Sequence, residues 1–99
     1  MEKFTKGVGV VKPEEAEIDY IRVRSSRLGE LYKICNVIKP SYNGASEFDI
    51  QQARANAALI ATAPEMYWML AKLSGLLTDI NAHSVVKEIE TLLSKARGE

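Results

Sequence analysis

Along the first forty residues, apolar and polar positions alternate in short runs. Beyond residue 46, apolar positions recur every three or four residues. The first rhythm is that of half-buried strands and the second that of amphipathic helices. Gly7–Val11 reads as a short strand weakened by two glycines. Ile18–Ser25 and Leu31–Ile38 read as a hairpin turning at Ser25–Glu30, where Gly29 sits. In the second strand Leu31, Cys35 and Val37 share a face with Lys33, opposite Tyr32, Ile34 and Ile38. Ile18, Ile21, Ser25, Leu28, Tyr32 and Cys35 also fit a helical period. The β-branched residues and Gly29 favour the hairpin.

Pro40, Asn43 and Gly44 then end the β portion. Ser46 with Asp49 three residues on marks a helix start, and the first helix is expected over 47–61. Phe48, Ile50, Ala53, Ala57, Ile60 and Ala61 would lie on its inward side. Its many alanines make a smooth surface against which a second helix can approach closely. Thr62-Ala63-Pro64-Glu65 has the form of a capping box with proline in the first turn. A second helix is therefore expected over 63–77, beyond a corner, with Met66, Leu70, Leu73 and Leu77 on its apolar side. A third, over 83–97, carries Val85, Val86, Ile89, Leu92, Leu93 and Ala96, with Asp79 or Asn81 as its cap and Gly98 as its stop. The fold expected is α+β in one domain over 1–99: a small antiparallel sheet within about 7–38, then two to three helices.

ANAALIATAPEM at residues 55–66, continuing into YWML, resembles an "ANAxLIAxAPEM" segment of small bacteriophage and prophage proteins. In those proteins it usually follows a short β-hairpin region. They are mostly of unknown function, so the resemblance implies a phage or prophage origin and little more; the lone cysteine and the lack of a signal-peptide pattern lead us to expect a host-cell cytoplasmic setting. The resemblance carries no functional residue across. Trp68 and the tail from Asp79 onward lie outside the recurring pattern.

Composition sharpens this picture in two respects. The chain has 99 residues with zero formal net charge. Basic and acidic residues balance in each half: eight of each in 1–49 and five of each in 50–99. Such balance argues against a general nucleic-acid binder and removes the repulsion that keeps copies apart. A single cysteine, Cys35, excludes an internal disulfide and fits a reducing compartment. No apolar run is long enough to span a bilayer, which takes about 20 residues.

Candidate chemistry is sparse. Cys35 has no adjacent base and reads as a small buried hydrophobe. His83 is the sole histidine and falls at a helix start, so no zinc set can be assembled. Glu14, Glu15 and Glu17 read as a solvated acidic loop. No catalytic set emerges, so we expect no enzyme, no cofactor and no metal. Two binding surfaces remain. Tyr20, Arg22, Arg24 and Arg27 form the densest positive cluster, suited to a nucleotide or another phosphate compound. If its strand arginines are exposed, removing them should leave the fold intact. Met66, Tyr67, Trp68 and Met69 form an aromatic and methionine group of the kind enriched in protein interfaces. A helix with Met66, Leu70, Leu73 and Leu77 on one side leaves Trp68 in need of a second cover. The function expected is that of a small phage-type accessory protein, a homo-oligomeric module contacting a host or phage protein. The alternative is a small-ligand binder using the hairpin arginines.

Overall fold

In a computed structural model, residues 4–5, 7–26, 32–40, 46–77 and 82–99 are described. Strands β1 (Gly9–Val11), β2 (Tyr20–Ser25) and β3 (Tyr32–Ile38) are followed by helices α1 (Glu47–Leu76) and α2 (His83–Ala96). The α+β class expected from the periodicities is the one observed. Of the turn expected at Ser25–Glu30, Ser25 closes β2, and residues 27–30, Arg27 and Gly29 among them, lie outside the described residues.

The chain divides into two compact units, 5–64 and Phe4 with 65–99. In the first, the sheet has the order β1-β2-β3, all antiparallel. Central β2 carries the largest fully buried side chains, Ile21 and Val23. These meet Ala53, Ala57 and Ala61 of α1, with Cys35 and Val37 beside them. Four-residue spacing puts the three alanines on one helical stripe. The smooth surface made by these alanines receives the sheet, where a helix was expected. At Gly9 the approach is closest: a Cβ there would lie within 2.6 Å of the Ala61 Cα. Only glycine lets the β1 backbone rest on the helix backbone at that point.

Helix α1 begins where the sequence places it. Asp49 donates its backbone N–H to Ser46 Oγ at 3.2 Å, and Ser46 N–H donates to Asp49 Oδ2 at 3.1 Å. Two otherwise orphaned donors are satisfied reciprocally. The expected corner at 62–63 is absent, and α1 runs through Pro64. Pro64 has no N–H to offer the Ile60 carbonyl. Thr62 does not cap: its hydroxyl donates back to the Ala58 carbonyl at 2.8 Å, the back-bond of a threonine within a helix. Of the residues expected inward, Ala53, Ala57 and Ala61 are buried, whereas Phe48 and Ile60 are exposed.

The second unit has its own core of Tyr67, Ile89 and Leu93, with Phe4, Leu70, Ala71 and Leu77 packed against it. Met66 and Leu73, expected on the inward stripe, are exposed, as are Val85 and Leu92. The N-cap of α2 is Ala82, without a side-chain cap; Asp79 and Asn81, the expected caps, lie outside the described residues. The C-terminus closes as expected. Gly98 adopts φ 84°, its N–H donates to the Lys95 carbonyl, and Glu99 N–H donates to that of Ser94. This is the paired bonding of a Schellman motif, which needs a left-handed residue at Gly98.

Candidate functional site

The arginine cluster is built on β2 beside an irregularity in the ladder. Val23 pairs with Cys35 and Arg24 with Lys33, which leaves Ile34 as an extra residue on β3. Such a bulge turns carbonyls out of the regular ladder. Arg24 meets them: its Nη1 donates to the carbonyls of Val23 at 2.9 Å and Cys35 at 3.1 Å, and its Nη2 to Asn36 Oδ1 at 3.2 Å. Only 7% of Arg24 is exposed. Its fork is thus occupied by the protein itself. Arg22 is half-buried, donates to the Pro13 carbonyl at 3.2 Å and pairs with Glu15 at 3.3 Å. Tyr20 is exposed at the start of β2. Arg27 lies outside the described residues.

The acidic run at 14–17, read as solvated loop, supplies partners to three cations. Glu14 accepts from Arg54 Nε at 2.8 Å and lies 3.6 Å from Lys39 Nζ. Glu15 takes Arg22. Glu47, in the first turn of α1, adds a second contact to Arg54 at 3.6 Å. The hydrogen bond from Arg54 holds the Glu14 carboxyl below the usual carboxylate range, and the same bond raises Arg54. The acids hold the 12–19 segment to α1 and to the end of β3. Sequence spacing carries no sign of these pairs, because Glu14 and Arg54 are 40 residues apart.

The interface candidates separate by environment. Tyr67 is buried in the core of the second unit, where its hydroxyl accepts from Arg97 Nη1 at 3.0 Å. Arg97 also contacts Glu99 Oε1 through Nε and Nη2, at 3.2 and 3.1 Å. The bonds to Tyr67 and then Glu99 raise the Arg97 pKa, and Glu99 is lowered by the bond from Arg97. The Phe4 ring stands edge-on to Tyr67 with centroids 4.8 Å apart, and Trp68 does so at 5.4 Å. Trp68 is nonetheless 45% exposed, and Met66 and Met69 are 47% and 64% exposed. Three large apolar side chains within four residues of α1 are therefore open to solvent.

Cys35 is half-buried against the β2–α1 core, and His83 is exposed at the start of α2. Among the described residues, no group of three His, Cys, Asp or Glu is placed to hold a metal ion. None of the described helices is long and apolar enough to cross a membrane. A depression bordered by Ser84, Lys87, Glu88, Thr91, Leu92 and Lys95 draws its lining from α2 alone. Compared with family models, curated proteins and solved structures, the chain matches none.

Proposed function

We propose that this protein acts by binding, as a homo-oligomeric protein-interaction module of the phage-accessory type, and carries no catalytic site. One observation supports this above the others: Met66 and Met69 stand exposed side by side on α1, away from the buried Tyr67, and Trp68 is exposed on another side of the same helix. Trp and Met are enriched at interface cores, and exposed apolar groups of this size favour a covering partner. Zero net charge offers no repulsion to association. The phosphate-binding alternative finds less support, since Arg22 and Arg24 already donate to the protein's own oxygens. Light scattering at micromolar concentration tests the proposal. We expect a mass of two or more chains, reduced towards one by Met69→Glu. A wild-type mass of one chain throughout the micromolar range would refute the oligomer.

A further inference from the structure

Within the second unit, one side of the helical pair is open. Residues 65–77 of α1 and helix α2 run in opposite directions there. Tyr67 meets Arg97 just past the end of α2, and α2 begins at His83, soon after α1 ends at Leu76. Met66 directly precedes the buried Tyr67, and Leu92 directly precedes the buried Leu93. Each backward step turns about 100° away from the shared core. In antiparallel helices, two backward steps turn to the same side of the pair. Leu73 and Val85, a heptad from Met66 and Leu92, lie on that side as well. All four are exposed, by 41–52%. Trp68, one step forward from Tyr67, turns the other way and meets Phe4, with ring centroids 6.4 Å apart.

We propose that the same side of a second copy covers this one, so that two helical pairs form a four-helix bundle about a two-fold axis parallel to the helices. This rests on the homo-oligomeric reading above and specifies its interface, which lies wholly within the second unit. The 65–77 segment of each copy then lies antiparallel on the partner's α2. The apolar spacings fit. Met66, Met69, Leu73 and Leu76 advance by three, four and three residues, and Val85, Ile89, Leu92 and Ala96 by four, three and four. Both are the alternation of a coiled-coil seam. Met66 then meets the partner's Leu92, Met69 the partner's Ile89 and Leu73 the partner's Val85. The charges beside the seams select the partner and the register. Glu65 and Lys72 precede Met66 and Leu73, Glu88 and Lys95 precede Ile89 and Ala96, and all four are exposed. In this register Glu65 faces the partner's Lys95 and Lys72 the partner's Glu88, each pair occurring twice by symmetry. Sliding by one heptad, with Leu73 on the partner's Leu92, sets Lys72 against the partner's Lys95. Laying like helix on like helix, with Met69 on the partner's Leu73, sets Lys72 against the partner's Lys72. Of the three, only the first opposes unlike charges throughout.

Sedimentation equilibrium of the full chain and its variants tests the arrangement, with circular dichroism to verify helix content. Wild type should form a two-chain species. Lys72→Glu and Glu88→Lys, each creating two like-charge contacts, should each weaken it about ten-fold or more. Combining the two exchanges should restore wild-type association, since unlike charges again oppose. Glu65→Lys with Lys95→Glu repeats the cycle at the other pair and takes its place if a variant of the first loses helix. An oligomer that ignores the single exchanges, or is not restored by the double one, overturns this interface while leaving the homo-oligomer standing. Packing of like helix on like helix gives that result, because Lys72→Glu there exchanges one like pair for another. A wild-type chain that stays single overturns both.

Discussion

Arg24 shows how far one side chain's role depends on its neighbours across the sheet. On an isolated strand its guanidinium is a ready phosphate fork. In the fold, its Nη1 and Nη2 serve two backbone carbonyls and an amide oxygen at the bulge. Removing such a donor strands part-buried acceptors. Arg24→Ala should therefore destabilise the protein by about 1–3 kcal/mol, read as a lower denaturant midpoint. That reverses the expectation from exposure, under which strand arginines contribute little. An unchanged midpoint would show that water satisfies the carbonyls equally well.

At the scale of the element, α1 separates two capping motifs that look alike in the sequence. Ser46 and Asp49 satisfy each other's backbone donors at a true N-terminus. Thr62 and Glu65 have the same three-residue spacing but fall inside a helix that does not stop. Ser46→Ala should cost about 0.5–2 kcal/mol, the usual loss for an N-cap. Thr62→Ala should change stability by no more than about 0.5 kcal/mol, because alanine is the better helix former and the back-bond to Ala58 is dispensable. Urea midpoints of the two variants decide between a continuous and a broken helix. A large loss at Thr62 would restore the corner.

At the scale of the whole molecule, two cores share no described residue. Ile21 and Val23 are buried among the alanines of α1 in one unit, and Tyr67, Ile89 and Leu93 form the other. A cavity in one should loosen its own unit first. Ile89→Ala, a loss of about 2–5 kcal/mol for a buried aliphatic side chain, should speed amide hydrogen exchange through α2. Exchange at Ile21 and Val23 should remain near the wild-type rate. Equal acceleration of both regions would mean that the chain unfolds as one cooperative body.

What the sequence determined by itself was local. The Ser46 cap, the Gly98 stop and the α+β order depend on interactions within a few residues, and each is present; the strand alternation breaks at the Ile34 bulge, where Val23, Arg24 and Ser25 are all buried. Long-range partners decided the rest. Helix α1 carries apolar residues on more than one stripe, so periodicity could not say which stripe the sheet would take. Ala53, Ala57 and Ala61 won because a strand backbone at Gly9 can come closer to alanine than to Phe48 or Leu73. Pro64 marks a helix start by local chemistry, yet one missing hydrogen bond does not end a helix packed on both sides of it. The fate of the arginines was equally non-local, for the carbonyls that hold Arg24 come together only when β3 pairs with β2 and bulges at Ile34. Local rules place elements; the faces those elements bury, and the charges they consume, depend on what arrives from far along the chain.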